Sequence, residues 1–338
     1  MTLVSAIVPA FHRPRSCVDA VRSILAQRLP AGTRIEAIVV LDGPQPETND
    51  AIDAIDEERV RIVQLPTNRG HAAARAEGIR AARGSWCAFL DDDDLWMPDK
   101  IALQLEAARA CDAPLPVVGC RLEARLGRGS LIWPETEPTP GEHIADYLYA
   151  RRSLASLRSG HGLIQTSMIL APTDLMRRVP FRPGMRRHAD PDWIVRAAQE
   201  PGVGFVFPET GKPLAVWNLH DGSRVSGAAA GSGDWRYSIA WARRHKSMMT
   251  PASIAGFLTG PAAHRAATLT RGLTRVRAFA ALARSAIALG RPSIYDAAAL
   301  LLAFLDAGRF RPTRGSSNRA TEGATQDESQ KAPAEANA

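Results

Sequence analysis

Several things are scarce in this chain, and each scarcity excludes something. Cysteine occurs four times in 338 residues, as Cys17, Cys87, Cys111 and Cys120. The spacings match neither a zinc site nor a disulfide framework, which fits a reducing compartment. Long apolar runs are absent. The longest, Ala297–Leu305, is far too short to span a bilayer. No basic start followed by a long apolar stretch marks the N-terminus, so no signal peptide is expected. Glycine is missing from Pro9–Pro14, the loop after the first apolar run. That excludes the Gly-X-Gly-X-X-Gly turn of a dinucleotide-dependent dehydrogenase and counts against the glycine-rich phosphate loop of a sugar-nucleotide pyrophosphorylase. Internal repeats are not found. A cytoplasmic protein is expected, at most peripheral at the inner face of the membrane.

What is present is enough for a sizeable core, with 45% hydrophobic residues. The formal charge of +7, mostly an arginine excess, suits polyanionic partners such as nucleotide diphosphates, nucleic acid or an anionic membrane. Paired arginines at 151 and 152, 177 and 178, 186 and 187, and 243 and 244 are scattered, with no nucleic-acid-binding motif among them. No nucleic-acid partner is therefore expected.

The first half alternates strand-like and helix-like segments. Apolar runs at Leu3–Pro9, Ile35–Leu41, Val60–Leu65 and Trp86–Leu90 read as strands. Arg15–Gln27, capped by Ser16, Glu47–Ile55, His71–Ala82 and Pro98–Ala110 read as helices. Such alternation argues for an α/β sheet with helices on both faces. Further on, Pro116–Glu123, Leu163–Leu170, Val203–Phe207 and Leu214–Leu219 read as strands and Asp192–Glu200 as a helix. Leu269, Leu273, Val276, Ala280, Ala283 and Ile287 step by four and three, the pattern of an amphipathic helix. Arg271, Arg275 and Arg284 flank it; packing against the rest of the protein is the expected use of its apolar face, and docking on an anionic membrane the alternative. From Thr313 onward the chain is polar and reads as a disordered tail.

In an open α/β sheet, ligands bind beyond the carboxyl ends of the strands. Three such ends carry unusual residues: Pro9-Ala10-Phe11-His12-Arg13, Asp42-Gly43-Pro44 and Asp91-Asp92-Asp93-Asp94. In an extended segment Asp91 and Asp93 face one way and Asp92 the other. Two carboxylates on one side repel unless a cation neutralises them, and hard oxygen donors suit Mg²⁺ or Mn²⁺. The same run could instead be a solvated turn before the next helix. Asp42 reads either as a turn former or as an acceptor for a nucleotide base. Asn68-Arg69-Gly70 with Arg75 reads either as a plain helix start or as part of a donor-binding surface.

Taken together, these segments resemble the family 2 glycosyltransferases, the large inverting family with a GT-A fold. The resemblance runs through Val4–Pro9, Ile38–Gly43, Asn68–Arg75 with Gly78, Ala88–Trp96 and Pro98–Lys100. It covers about residues 3–110 and more loosely 160–226. The implied fold is a Rossmann-like α/β/α sandwich of the nucleotide-diphospho-sugar transferases (residues 1–226), with a helical extension (227–312) and a tail (313–338).

The resemblance also implies site residues. Pro9, Phe11, Asp42, Asn68, Arg75, Asp91, Asp92 and Arg224 would bind the nucleotide sugar. Asp91 and Asp93 form the Asp-X-Asp site, with Asp93 the direct ligand of Mn²⁺ or Mg²⁺ and His220 completing the metal site. Asp190, in Arg187-His188-Ala189-Asp190-Pro191-Asp192-Trp193, would be the general base, with Asp192 a helix-capping neighbour; Asp190 read without the resemblance could be only a cap, and His220 a surface histidine. The implied reaction moves a sugar from a nucleotide-diphosphate sugar, UDP-linked by default, to an acceptor hydroxyl with inversion. Lipid-linked or cell-surface glycans are the implied acceptors. The chain departs from the family at Leu41, Pro44 and Ala189, where the family usually has Asp, Ser and Glu. A binding protein of the same fold without catalysis is the rival reading.

Overall fold

The computed structural model describes residues 1–126, 129–154, 162–185, 187–218 and 234–306. Four consecutive parallel strands form its centre: β1 (Thr2–Ala10), β2 (Thr33–Leu41), β3 (Val60–Gln64) and β4 (Trp86–Phe89). They belong to a seven-stranded sheet ordered β10-β6-β9-β4-β1-β2-β3. Here β6 is Leu115–Val118, β9 is Leu170–Pro172 and β10 is Val203–Val206. β9 runs antiparallel to both β4 and β6. A four-stranded sheet, β5-β11-β7-β8, is built from Leu95–Trp96, Pro213–Asn218, Arg121–Leu126 and Gly129–Trp133.

Both faces of the central sheet are covered, which is why β1 and β2 read as continuous apolar runs rather than alternating ones. Val4, Ala6, Ile7, Val8, Ile38, Val39, Val40 and Leu41 are all fully buried. Helix α1 (Pro14–Leu25) buries Cys17, Ala20, Val21 and Ile24. Its start is set by Pro14 in the first turn; Ser16 lies inside the helix, so the cap expected of it is not made. Helix α3 (His71–Ala81) lies close on β1, and a Cβ at Gly78 would stand 2.3 Å from Ile7. Helices α2 (Pro46–Asp53) and α4 (Lys100–Ala110) complete the first half.

Two expected strands divide. Pro116–Glu123 splits into β6 and β7 because the chain changes sheets at Gly119 and Cys120, where a Cβ on Gly119 would collide with Phe207 at 2.1 Å. Leu163–Leu170 is largely irregular, with a 3₁₀ turn at Thr166–Met168, and only Leu170 enters β9. The buried Gln104 amide fixes that turn by donating to the Met168 carbonyl at 2.7 Å.

Short helices α5 (Ile144–Tyr149), α6 (Thr173–Arg178) and α7 (Ala189–Ala197) follow the sheet strands. Beyond them come α8 (Asp234–Arg244), α9 (Pro251–Thr259), α10 (Pro261–Leu269), α11 (Gly272–Leu289) and α12 (Ile294–Asp306). These have their own apolar cluster around Trp241, Phe257, Leu258, Ala263, Leu282 and Leu300, which reaches the sheet part through Ala145 and Val195. The expected amphipathic helix is interrupted: Thr270 bonds its side chain back to the Ala266 carbonyl, Arg271 is extended, and Gly272 takes a positive φ of 51°. Its orientation is also reversed from expectation. Ala278, Leu282 and Ala286 face inward, while Leu273, Val276 and Ile287 face out.

Candidate active site

The carboxyl ends of β1, β2 and β4 open on one edge, and short polar contacts lace them together. Gln45, just after β2, is buried; its amide donates to the Ala10 carbonyl at 2.9 Å and its oxygen accepts from the His12 amide at 2.6 Å. The Asp42 amide donates to the Ala10 carbonyl at 3.0 Å. The Asp42 carboxylate accepts from the Arg69 and Gly70 amides at 2.7 and 2.8 Å, which pins the start of α3 to the end of β2. Gly43 is required beside it, because its φ is 97° and a Cβ would stand 2.9 Å from the Asn68 amide. Asn68 itself is exposed and accepts from the Gly70 amide at 3.2 Å. Pro9 is buried opposite Val40, and Phe11 lies edge-on to His12.

The acidic run is a turn, closed by the Asp94 amide donating to the Asp91 carbonyl at 3.0 Å. It is not the extended segment expected, yet it leaves Asp91 and Asp93 partly accessible and Asp92 and Asp94 buried. Asp92 accepts from the Phe11 amide at 2.9 Å and from Arg13 at 2.7 Å. The expectation that Asp92 faces the donor is therefore corrected. It is buried and ties the end of β1 to the end of β4, because the turn directs its carboxylate inward. Arg13 also pairs with Asp93 at 3.0 Å. Asp94 accepts from the Ser167 hydroxyl at 2.8 Å and from the Asn218 amide at 3.3 Å.

Asp190 comes from the second half of the chain, in the first turn of α7, and Arg75 joins it to the acidic run. The Arg75 guanidinium is 2.6 Å from Asp91 and 3.2 Å from Asp190, with only 4% of its side-chain surface exposed. It lies over the ring of Phe181 at 5.6 Å, which in turn stacks on Trp193. Asp190 also accepts from the Thr166 amide at 3.3 Å. Thus one 3₁₀ turn, Thr166–Met168, supplies contacts to Asp190, Asp91 and Asp94.

Crowding displaces the proton affinities here. Burial pushes Asp92 up to about 6, against the pull of Arg13. Burial and then the charges of Asp91 and Asp93 push Asp94 well above the usual carboxylate value. Burial raises Asp190, with Arg75 opposing and Asp91 adding to the rise. Burial raises Asp91 too, but the Arg75 charge and hydrogen bond outweigh it and hold it low. His71, at the start of α3, is lowered to about 4 by burial and then by Arg75, so it stays neutral near neutral pH.

Asp192 proves to be more than a helix cap. It is fully buried, accepting from Arg196 at 2.7 Å and from Arg182 at 3.2 Å, and it pairs with His245 of the helical part at 2.8 Å. Two residues before Asp190, His188 takes the left-handed conformation, contacts the Ser238 hydroxyl at 3.0 Å and stacks on Tyr237. The sequence pattern drew no attention to Gln45, Ser167 or His245, which carry no local motif. Arg13 stood in a singled-out strand end but was given no role. His220 and Arg224 lie outside the described residues.

Among the described residues, no group of three or more His, Cys, Asp or Glu stands ready to hold a metal alone. The donors nonetheless fit a hard cation. Asp91 and Asp93 present oxygens on the accessible side of a cluster in which Asp91, Asp92, Asp93, Asp94 and Asp190 surround the guanidiniums of Arg13 and Arg75. Mg²⁺ in particular is commonly bound by one or two carboxylates, with water and substrate phosphates completing its shell.

Comparison with known proteins agrees with this geometry. Residues 5–169 match the family model described as Glycosyl transferase family 2. Over these residues the chain is similar to the family 2 glycosyltransferases. Curated relatives of this family 2 segment include the succinoglycan biosynthesis protein ExoO of Rhizobium meliloti, 37% identical over 40% of this chain and 38% of that protein. The putative teichuronic acid biosynthesis glycosyltransferase TuaG of Bacillus subtilis is 35% identical over 37% of this chain and 49% of its own length. These alignments thus span less than half of either relative. The solved structure of S. aureus TarS residues 1–349 with UDP-GlcNAc superposes with a TM-score of 0.56, 16% identity and 91% of each chain covered. That likeness establishes the GT-A fold, with the C-terminal helices included in the overlap.

Proposed function

We propose that this protein is an inverting glycosyltransferase, moving a sugar from a nucleotide-diphosphate sugar to an acceptor hydroxyl in the synthesis of a cell-surface polysaccharide or glycolipid. The observation that carries the reading is the Arg75 bridge between Asp91 and Asp190. It joins a carboxylate from the first half of the chain and one from the second through a single guanidinium, as a donor side and an acceptor side require. Residues 1–226 would form the catalytic unit and 227–312 a helical extension. A UDP-linked donor is supported by the name of an Escherichia coli relative, a UDP-Glc-dependent glucosyltransferase acting on a diphosphoundecaprenol-linked sugar, 33% identical over 105 residues.

In this reading Pro9, Phe11, Asp42 and Asn68 surround the base and ribose, and Arg75 and Asp91 orient the donor's polar groups. Asp93, with Asp91 beside it and His220 from the later segment, would hold Mn²⁺ or Mg²⁺. The cation supplies Lewis-acid stabilisation of the diphosphate as negative charge develops on it. Arg224 would add a second cation there. Asp190 takes the acceptor proton as general base, and its raised proton affinity suits that task near neutral pH. Asp92 and Asp94, both turned inward, hold the turn that presents Asp91 and Asp93.

The direct test is a donor screen that measures nucleotide released from UDP- and GDP-sugars in the presence of Mn²⁺ or Mg²⁺. One donor should turn over, and Asp93→Asn should weaken donor binding only when metal is present. Binding of UDP with metal, but no turnover with any donor and acceptor, would favour a non-catalytic binder instead.

A further inference from the structure

The C-terminal helices expose a surface that the proposed chemistry does not use. Leu273, Val276 and Ile287 on α11 are 65%, 62% and 69% exposed; Ile294, Leu301 and Leu305 on α12 are 78%, 52% and 76% exposed. At helical spacing Leu273, Val276 and Ile287 fall within an arc of roughly 60°, and Arg277 and Arg284 within the next 40° or so. Ala278, Leu282 and Ala286 lie on the opposite side and are buried. The result is an outward apolar stripe with a cationic edge, on helices already anchored by their other faces.

Charge identifies the occupant. Residues 261–306, through the end of α12, contain six arginines and two acidic residues, Asp296 and the terminal Asp306. Asp296 is buried and paired with Arg151, so it does not offset the outer charge. Arg277, Arg284 and Arg291 are exposed. Were a second copy to cover the α11 stripe by two-fold symmetry, the Arg277 and Arg284 edges would meet with no acidic residue on α11 to offset them, which is costly. The chain after 306 brings only one large apolar residue, Phe310, too little to cover six exposed side chains. No helix among the described residues can cross a membrane. Outward apolar stripes edged by arginine are the chemistry of interfacial binding to anionic lipid.

We infer that the exposed face of α11 and α12 docks the protein on an anionic membrane surface, with the leucine, valine and isoleucine side chains entering the acyl boundary and the arginines meeting lipid phosphates. The inference stands apart from the transfer reaction.

The test uses the full chain and vesicles of phosphatidylcholine with or without phosphatidylglycerol. The protein should co-sediment with the anionic vesicles, stay in solution with the neutral ones, and be released by high salt. Paired substitutions Arg277→Glu with Arg284→Glu should weaken vesicle binding by about tenfold or more. Leu273→Ser with Ile287→Ser should weaken it comparably. Both pairs alter exposed positions and should leave the melting temperature nearly unchanged. Absence of binding to anionic vesicles, or binding that both pairs leave intact, would overturn the inference. So would a dimer of the full chain that Leu273→Ser with Ile287→Ser disperses.

Discussion

Two clusters in the molecule treat buried charge in opposite ways. At the strand ends, Asp91 through Asp94 and Asp190 crowd around Arg13 and Arg75, and several carboxyls bind protons more tightly than usual. At the junction with the helices, Asp192 is buried just as deeply yet is held low: burial pushes it up, but hydrogen bonds from His245 and Arg196 prevail. Arg151 and Asp296 form a further buried pair in the helical part, although burial lowers the Arg151 proton affinity against the pull of Asp296. A structural junction satisfies its charges internally. A site prepared for a charged ligand leaves an excess for the ligand to settle, and displaced proton affinities gather there.

The sharpest break of this contrast is chemical. Asp190→Asn should lower kcat by about 10²–10⁴-fold, the usual contribution of a general base, with nearly unchanged affinity for the donor. Turnover equal to wild type would remove Asp190 from the proposed role. On the other side, Asp192→Ala should leave His245 and the neighbouring guanidiniums without their carboxylate. A loss of about 3–5 kcal/mol is expected, read by denaturant unfolding, with secondary structure retained.

Stability against pH should separate the two regions by sign. The Asp192 carboxyl is lowered in the folded state, so its contribution is present above the ordinary aspartate value of 3.8 and is lost as pH falls below it. The Asp92 carboxyl is raised, so its contribution is present below 3.8 and is lost as pH rises through about 6. The displacement corresponds to at most about 3 kcal/mol. Unfolding measured from pH 4 to 8 should show a downward component that Asp92→Asn removes; an unchanged slope would mean that Asp92 ionises normally. The smallest effect concerns the acid limb of kcat. It should lie above the ordinary aspartate value in the wild type and move lower in Asp91→Asn, since the Asp91 charge raises Asp190.

Much of this was legible in the sequence, and the reasons are specific. β1, β2 and β4 read correctly because strands buried on both faces must be apolar throughout, and their ends stand out as the first polar residues. The convergence of Asp42 and the acidic run follows from parallel strand order alone. The 3₁₀ turn at Thr166–Met168 was hidden because its cause, the Gln104 amide, lies on a helix sixty residues earlier in the chain. The inward turn of Asp92 was hidden because strand alternation does not apply where the chain closes a turn. The outward stripe on α11 has the periodicity of a core-facing helix, and period alone does not say which side meets the protein. Asp192 and His245 lie too far apart in sequence for spacing to suggest their pair.

Arg75 has a consequence of its own. A single guanidinium divides its attraction between Asp91 and Asp190, so whatever engages one carboxylate alters the other without any backbone moving. When a donor with its cation draws Asp91 away, Arg75 is left to serve Asp190 alone and favours its unprotonated form. In the proposed reaction, filling the first seat would thus ready the second.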